Sequence, residues 1–452
     1  MNAEAISYFS RALALTADEA LMQRYYLLQA REQVYHLQGE RDNQLQDITV
    51  LQALAEQIMQ AGGEDKRAEA ALRLANYAEV TGDYKTAVSS AHLALEQAQG
   101  SQDVVQETAS HLALGRVLIR QGNYEDARTH LNGSLTLAQT HHLSRFEADT
   151  RRFLGVAAVD LGQYQEARDF YHQSLILYCQ IEDPQGESTV LNNLAIVVYS
   201  LGDLSESVYF WEQAQKIYNT IGDREGRGRI LTNLCALCIG LGEFETAREY
   251  GLQGLQICRE INARIGECMN LLNLGLVSHY TDHADLANQY STEARQIADA
   301  MGNALLKGYT LLDSGVILAE QHQLDKAQAC LQEAVELWQN LDQTSRLLET
   351  KAEIARIAFK RNDVEKAQTE LIPVIDHILA NASLDGTARP FQIYFICYEV
   401  LTAVSDPRAT TILDKAYHLL HERALRIRND TQRLSFLENI PSHHLIIQAF
   451  EA

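Results

Sequence analysis

A unit of 40 residues recurs through most of this 452-residue chain and constrains its fold more than any other feature. Each unit contains a turn pattern, Gly-x-aromatic/aliphatic-x-x-small. The pattern starts at Gly82, Gly122, Gly162, Gly202 and Gly242. Three weaker copies keep the same phase and place Asp282, His322 and Asn362 at the glycine position. Eight copies in constant phase predict a stack of repeats, in which each unit buries its apolar face against its neighbours.

The stretch from Thr189 to Ile217 shows what one unit contains. Its pattern predicts two amphipathic helices with a turn at Gly202-Asp203. On the first helix, the large-small pair Leu194-Ala195 is predicted to face inward. On the second helix, Ser207, Trp211 and Ala214 follow at spacings of four and three and therefore share one face. The unit is a predicted helical hairpin.

Small residues and turn residues recur at matched positions in the units. The position seven residues before each turn is held by Ala75, Gly115, Gly155, Ala195, Cys235, Gly275, Gly315 and Ala355. Small side chains let two helices approach closely, where a larger one would overpack. The turn glycine suits a left-handed residue at a helix end. The residues that follow, such as Asp83, Asn123 and Asp203, suit a helix N-cap, as do Asp183 and Asp223 between units.

These positions resemble the tetratricopeptide repeat. The resemblance rests on Leu-small in the first helix and small-x3-large-x2-small in the second, as in Ala127-x3-Leu131-x2-Ser134. The 40-residue unit resembles a subclass of this repeat with longer helices. Most units here have an Asp-containing turn where the family usually has a proline. The resemblance implies an all-α fold: a right-handed superhelical solenoid of stacked antiparallel helix hairpins.

The repeat phase predicts five segments along the chain. They are an orphan second helix (1–15), a divergent helical hairpin (16–62), eight 40-residue repeats (63–383), a degenerate hairpin (384–428) and C-terminal capping helices (429–452). Atypical terminal units of this kind cover the open end of a solenoid.

The N-terminal helix carries a second-helix signature, Ala5-x3-Phe9-x2-Ala12, with no first helix before it. An apolar stripe left open is unusual in a soluble chain. We therefore expect either a longer parent protein or another subunit to supply the missing helix. The C-terminal segment also resembles the C-terminal tetratricopeptide sensor region of bacterial multidomain signal-transduction regulators, so adjoining domains of a parent protein are possible partners.

Composition narrows the class of partner and the compartment. The formal charge of −22 repels a phosphate backbone, so nucleic acid is not expected as a partner. The chain lacks an apolar run of about 18 residues and a secretory leader, so no membrane association is predicted. Seven cysteines follow no disulfide framework, which favours the reducing cytoplasm.

Catalytic signatures are missing from the sequence. It has no GxxxxGK[ST] phosphate loop, no HExxH helix and no GxSxG elbow, so we predict a protein that is not an enzyme and uses no cofactor or metal. Cys235 and Cys238 form a C-x-x-C, but both are predicted to act as small buried hydrophobes. The histidine pairs His141-His142 and His443-His444 are predicted to be exposed to solvent.

A row of polar residues is the best candidate site. Two positions before the small residue, the first helices carry Asn193, Asn233, Asn273 and Asp313, and Asn192 flanks them. An amide both donates and accepts hydrogen bonds and can pair with an extended peptide. The row is similar to the asparagine clamp of peptide-binding tetratricopeptide proteins, which implies that role for these four positions. The alternative is that the amides brace neighbouring helices. Further expected groove residues are Arg116, Arg120, Tyr199, Arg229, His279, Tyr280 and Tyr309.

Three functions follow from these features. The first is a noncatalytic scaffold that binds a peptide or protein segment in the concave groove of the superhelix. The second is a ligand-sensing or autoinhibitory arm of a larger bacterial signalling NTPase or transcriptional regulator. The third is a self-associating structural element. The sequence does not fix the oligomeric state.

Overall fold

The structure, a computed structural model, describes residues 2–452, and within them it contains helices and no strands. The chain packs into two compact units, Met1–Glu182 and Asp183–Ala452. We call them unit 1 and unit 2. The helices described in unit 1 are α1 Asn2–Leu15, α2 Leu21–Gln38, α3 Arg41–Gln60, α4 Arg67–Thr81, α5 Tyr84–Ser101, α6 Val104–Arg120, α7 Tyr124–Thr140, α8 Ser144–Asp160 and α9 Tyr164–Gln180.

Unit 2 continues the same alternation and adds the C-terminal helices. The repeat helices are α10 Pro184–Ser200, α11 Leu204–Ile221, α12 Arg224–Gly240, α13 Phe244–Glu260, α14 Arg264–Tyr280, α15 Ala284–Met301, α16 Ala304–Glu320, α17 Leu324–Asn340, α18 Thr344–Lys360 and α19 Val364–Leu379. The C-terminal helices are α20 Pro390–Ala403, α21 Arg408–Arg426, α22 Asp430–Glu438 and α23 Pro441–Glu451. Consecutive helices pack in pairs, which confirms the predicted all-α solenoid.

The turn within each repeat has the predicted backbone conformation. Gly82 and Gly202 both have a φ of 81°, in the left-handed region that glycine adopts without strain. The weaker copies keep that conformation without glycine, since Asp282, His322 and Asn362 each have a φ of 60°. The left-handed turn is therefore a property of the repeat, and the glycine only makes it easier to form.

The predicted N-caps are confirmed. The Asp83 side chain accepts a hydrogen bond from the backbone N–H of Thr86 at 3.1 Å, and Asp203 accepts one from Glu206 at 3.0 Å. Between pairs, Asp183 and Asp223 each accept from a backbone N–H three residues ahead. These bonds satisfy helix N–H groups that would otherwise lack a partner.

The small residue in each first helix allows close approach of the second. A Cβ atom added at Gly155 would lie 2.5 Å from the ring of Tyr171, and one at Gly115 would lie 2.5 Å from the Leu131 side chain. Tyr171 and Leu131 are almost completely buried. The large residue of the second helix therefore packs directly over the small residue of the first, as the repeat pattern predicts.

The C-terminal helices of unit 2 pack beside the last repeat and also contact much earlier turns. Helix α20 packs against α18 and α19. The Ser205 hydroxyl, at the start of α11, donates to the carbonyl of Arg426 at 2.9 Å. The Asn439 amide donates to the carbonyl of Gly242, in the α12–α13 turn, at 3.1 Å. Unit 2 thus folds back on itself through contacts between residues about 200 positions apart.

None of the described helices is both long enough and apolar enough to span a membrane.

Candidate functional site

A cavity of about 920 Å³ lies within unit 2. One side is formed by the first helices of five successive pairs, α10, α12, α14, α16 and α18. The opposite side is formed by the loop before α20 and by α20 to α23. Ligand pockets commonly have volumes of about 300–1,000 Å³, so this cavity is large enough for a drug-sized molecule or a short peptide. We call it the unit-2 cavity.

Aromatic and aliphatic side chains form much of its wall. The predicted groove residues Tyr199, Tyr280 and Tyr309 all line it. The ring of Tyr280 stacks on Phe244 with centroids 4.9 Å apart, which fixes its orientation. Burial raises the pKa of the Tyr199 hydroxyl to about 12, so this group remains a neutral hydrogen-bonding group at physiological pH.

A buried charge cluster joins α16 and α18 to the loop before α20. Arg389 Nε donates to Glu349 Oε1 at 3.1 Å, and Arg389 Nη2 lies 3.1 Å from Asp313 Oδ1. Glu349 also accepts from Arg346 Nη1 at 3.1 Å and from the backbone N–H of Ala388 at 3.0 Å. Burial opposes ionisation of Glu349, but the two arginines outweigh it and hold its pKa below its ordinary value. Glu349 therefore fixes the loop against α18.

A second charge cluster lies one turn further along α18. Arg356 Nε donates to Glu353 Oε2 at 2.7 Å, and Arg356 also pairs with Glu320, which Lys360 contacts at 3.0 Å. Burial raises the pKa of Glu353 to about 7. Burial, followed by the positive charge of Arg389, lowers the pKa of Arg356 to about 10. The clusters are therefore close enough to influence each other.

Some of the guanidinium N–H groups in these clusters have no acceptor. Arg389 Nη1 is buried and has no hydrogen-bond partner among the described residues, whereas Arg389 Nη2 lies 3.1 Å from Asp313 Oδ1 and Arg356 Nη2 lies 2.6 Å from Glu353 Oε2. An unsatisfied buried donor costs about 1–3 kcal/mol, and more when the group is charged. The charged side chains at the wall of the unit-2 cavity are thus largely paired with one another.

The predicted asparagine row is partly engaged in bracing helices. Asn192 is buried, and its Oδ1 accepts from Trp211 Nε1 at 3.2 Å and from Asn233 Nδ2 at 2.7 Å. Asn273 Nδ2 donates to the carbonyl of Thr232 at 3.1 Å. These bonds connect α10 to α12 and α12 to α14, in agreement with the alternative interpretation of the row.

Only part of that row lies at the cavity. Asn273 and Asp313 line it, whereas Asn192, Asn193 and Asn233 are not among its lining residues. Asn193 is partly exposed. The structure therefore brings the last two members of the row together with the three tyrosines.

The other predicted groove residues divide between the two units. His279 lines the unit-2 cavity, and burial lowers its pKa to about 4. Arg229 is exposed and pairs with Glu225 at 3.2 Å. Arg116 belongs to unit 1, where it donates to Asn76 at 2.9 Å and pairs with Glu79. Arg120 is exposed at the end of α6. Arg229, Arg116 and Arg120 do not line the unit-2 cavity.

Sequence reasoning missed Arg389, Glu349, Glu353 and Arg356. A signal was present for three of them, because positions 349, 353 and 356 follow spacings of four and three and place charges on one face of α18. Arg389 had no such signal, since it lies in a loop outside the repeat phase.

Histidine and cysteine predictions have different outcomes. The prediction that His443 is exposed is wrong: it is buried, and its Nδ1 lies 2.6 Å from the carbonyl of Phe436. His444 is exposed, as are His141 and His142. Cys235 and Cys238 are buried, and burial raises the pKa of the Cys238 thiol to about 12. No group of three potential metal ligands occurs among the described residues.

Comparisons with known proteins agree with this fold. Three overlapping segments, residues 106–180, 146–220 and 186–260, match the tetratricopeptide repeat family. No curated protein sequence matches the chain. Among solved structures, the apo form of the quorum sensor NprR from B. thuringiensis is 15% identical, with a TM-score of 0.53, over 76% of this chain and 99% of that one.

Two further solved structures are similar over most of their length. The Rap conjugation gene regulator of plasmid pLS20, in complex with the Phr* peptide, is 14% identical with a TM-score of 0.52, over 84% of this chain and 96% of that one. Aspartyl phosphate phosphatase F from Bacillus subtilis is 12% identical with a TM-score of 0.51, over 82% and 97%. At these identities the likeness concerns the fold alone. Together with the helix pairing, the match over residues 106–260 identifies this part of the chain as tetratricopeptide repeats.

Proposed function

We propose that this chain is a noncatalytic scaffold whose unit-2 cavity binds a short peptide or a short segment of a protein. The observation that carries the proposal is the cavity itself, about 920 Å³ in volume and lined by the first helices of five successive repeats. Its wall combines tyrosines with charged side chains of both signs. An occupant with an apolar body and several polar groups fits such a wall.

A peptide suits the pattern of polar groups. Its backbone offers N–H donors and C=O acceptors at regular spacing. Asp313 provides carboxylate acceptors at the wall, and the arginines of α18 and of the loop before α20 provide donors. The tyrosines supply rigid apolar surface of the kind that often anchors an interface.

The C-terminal helices limit the size of the occupant. They form the wall opposite the repeat helices, so the site is a cavity bounded on two sides. A folded domain would need these helices to move, whereas a short extended segment would not. The proposal therefore favours a short peptide over a whole partner domain.

The fold comparison supports the proposal as an analogy. The Rap regulator of pLS20, which has the same fold, is described in complex with a peptide. At 14% identity this likeness does not transfer a binding site, and the proposal rests on the cavity of this chain. The sensor arm and the roles of Asn192, Asn193, Asn233, Arg116, Arg120 and Arg229 in binding stay predictions.

Filling the cavity tests the proposal. Ala236 lines the cavity and is partly exposed, so Ala236→Trp would occupy binding space. Ala284→Trp, at an exposed position outside the cavity, is the matched control. The immobilised full chain is mixed with a pool of random pentapeptides, and retained peptides are quantified by mass spectrometry. We expect the unchanged chain and the control to retain peptides and Ala236→Trp to lose them. Equal retention by Ala236→Trp would show that the cavity is not the site.

A second pair of variants tests the asparagine clamp. Asn273 lines the cavity and Asn193 does not. We expect Asn273→Ala to reduce peptide retention and Asn193→Ala to leave it unchanged. If Asn193→Ala has the larger effect, the peptide binds along the first half of the row, outside the cavity.

A further inference from the structure

We propose that the unit-2 cavity contains a subsite for one large, uncharged apolar side chain of its occupant. The subsite lies between α12 and α14 on one side and α22 and α23 on the other. This inference rests on the proposed peptide-binding function and adds the class of side chain that the bound segment carries. Leucine, isoleucine, methionine and phenylalanine belong to this class.

Charged side chains line only part of the cavity wall. They belong to α16, α18, α20 and α21 and to the loop before α20, and they are Asp313, Glu320, Arg346, Glu353, Arg356, Lys360, Arg389, Glu399 and Arg423. Among the described residues that line the cavity, those of α12, α14, α22 and α23 include no Asp, Glu, Lys or Arg. These four helices therefore form an uncharged part of the wall.

Apolar side chains on both sides of this uncharged part are only partly buried. They line the cavity, and they are Ala236, Ile239, Met269 and Leu276 on the repeat helices and Ile440 and Leu445 on the opposite side. We call these six residues the apolar subsite. Since burial of apolar surface away from water is favourable, an apolar side chain that packs against them gains binding free energy.

Contacts between α22 and the α12–α13 turn bring the two sides together. The Asn439 amide donates to the carbonyl of Gly242 at 3.1 Å, and a Cβ atom added at Gly242 would lie 2.6 Å from the carbonyl of Ser435. Ile440 follows Asn439 in the chain, and Ile239 lies in the last turn of α12. These contacts therefore place Ile440 close to the end of α12 that carries Ile239.

The titratable groups beside the apolar subsite are uncharged at neutral pH. Burial lowers the pKa of His279, on α14, to about 4 and the pKa of His443, on α23, to about 3. Burial raises the pKa of Tyr199 to about 12, and a Cβ atom added at Gly240 would lie 2.9 Å from its hydroxyl oxygen. An ionised side chain of the occupant would therefore meet no opposite charge from these groups.

The charged part of the wall is engaged in pairs within the chain. Arg389 Nη2 lies 3.1 Å from Asp313 Oδ1. Arg423, beside the turn at Gly202, lies 3.5 Å from Asp385 Oδ1 through its Nη2. An ionised side chain that enters the cavity loses hydration, which is costly unless a free opposite charge compensates it. The cavity therefore favours an uncharged apolar side chain over an ionised one.

Four pools of pentapeptides test the inference on the immobilised full chain. All peptides are acetylated and amidated, and their random background is drawn from Gly, Ser, Asn and Gln. Each peptide carries one additional residue at a random position, which is Leu, Ser, Lys or Glu according to the pool. We expect the Leu pool to be retained about tenfold better than the Ser pool, and the Lys and Glu pools to be retained no better than the Ser pool.

Polar substitution within the apolar subsite should remove the preference. Leu276→Asn replaces an apolar side chain with a polar one of similar size, and we expect the Leu pool to be favoured about twofold or less. Leu286→Asn is the matched control, because Leu286 is an exposed leucine of α15 that does not line the cavity. Leu276→Met keeps the apolar surface and should keep the preference. Met269→Gln repeats the test at a second residue, and circular dichroism checks that each variant folds.

The outcomes separate this inference from the proposed function. Equal retention of all four pools by the unchanged chain would overturn the apolar subsite and leave peptide binding intact. Retention of no pool would overturn both. Preferred retention of the Lys or Glu pool would overturn the class of side chain. A preference for the Leu pool that survives in both Leu276→Asn and Met269→Gln would overturn the assignment to these residues.

Discussion

The repeat turns of unit 1 and unit 2 share one backbone conformation but differ in what surrounds them. A Cβ atom added at Gly82, Gly122 or Gly162 would meet nothing within 4 Å. At Gly202 it would lie 2.5 Å from Arg423, and at Gly242 it would lie 2.6 Å from the carbonyl of Ser435. All five glycines have φ between 72° and 81°. The repeat pattern thus determines the backbone conformation of the turn. In unit 2, the turns at Gly202 and Gly242 also contact the C-terminal helices.

Both units contain exposed and buried ion pairs, and an exposed pair of unit 1 can be compared with a buried pair of unit 2. In unit 1, Arg128 pairs with Glu166 at a site where the side chains are 29% and 40% exposed. In unit 2, Arg389 and Glu349 are 11% and 1% exposed. Exposed pairs contribute little because water screens them, whereas loss of one partner from a buried pair leaves an uncompensated charge. The Arg389–Glu349 pair should therefore matter far more for stability than the Arg128–Glu166 pair.

The largest expected effect is at Arg389. Arg389→Ala leaves Asp313 without its cation and removes one of the two arginines that pair with Glu349, and it should lower the free energy of unfolding by about 3–5 kcal/mol. Arg128→Ala in unit 1 should lower it by about 1 kcal/mol or less. Urea denaturation of the full chain, followed by circular dichroism, measures both. Similar losses in the two variants would remove the contrast between buried and exposed pairs.

A smaller difference in stability is expected between substitutions at two turn glycines, Gly242 and Gly122. Gly242→Ala and Gly122→Ala impose the same left-handed strain, but only the first adds a clash with the Ser435 carbonyl. We expect Gly242→Ala to be less stable than Gly122→Ala by about 1–3 kcal/mol, the usual cost of overpacking. Thermal unfolding of the two variants side by side measures the difference. If it is zero, the C-terminal helices do not rest on this turn in solution.

Substitution of Asn192, which braces α10 against α12, should change the free energy of unfolding by a similar or smaller amount. Asn192→Ala leaves the Trp211 indole N–H buried without an acceptor, which should cost about 1–3 kcal/mol. The neighbouring Asn193 is partly exposed, and Asn193→Ala should change stability by about 0.5 kcal/mol or less. Urea denaturation again measures both. The reverse order would mean that Asn193 carries the structural role.

The last expected effect is a pH dependence at His443, which is absent at neutral pH and grows in acid. Burial lowers its pKa to about 3, below the ordinary value of 6.5. Between these values the unfolded chain binds the proton and the folded chain does not, so His443 makes stability fall as pH drops below 6.5. His443→Gln should therefore flatten the decline of the unfolding midpoint between pH 6.5 and about 4. The exposed neighbour supplies the control: His444→Gln should follow the unchanged chain. An identical pH profile for all three proteins would contradict the buried position of His443.

Local features of the fold could be predicted because they depend on neighbouring residues. Gly82 and Asp83 specify a left-handed turn followed by a capped helix, and both occur as predicted. Tyr280 and Tyr309 reach the cavity because the repeat phase places them on the inner side of a first helix. In these cases helix geometry alone connects the sequence to the side chain's position.

The remaining features depend on contacts that no local pattern encodes. Arg389 enters the site because the loop before α20 docks on Glu349, 40 positions earlier. His443 is buried because Phe391 and Phe436 pack around it. In the asparagine row, repeat phase placed Asn193 on the inner side, but the buried residue is its neighbour Asn192, which the Trp211 indole engages. Tertiary packing decided each of these positions.

The most direct test of the central claim is hydrogen–deuterium exchange on the full chain. Exchange is measured with and without the pentapeptide that the chain retains most strongly from the random pools. The claim is that the unit-2 cavity is the binding site. We predict slower exchange on peptide addition in α14, α16 and the loop before α20, with no change in α4 to α7 of unit 1. Slower exchange confined to unit 1, or no change in the helices around the cavity, would contradict the account.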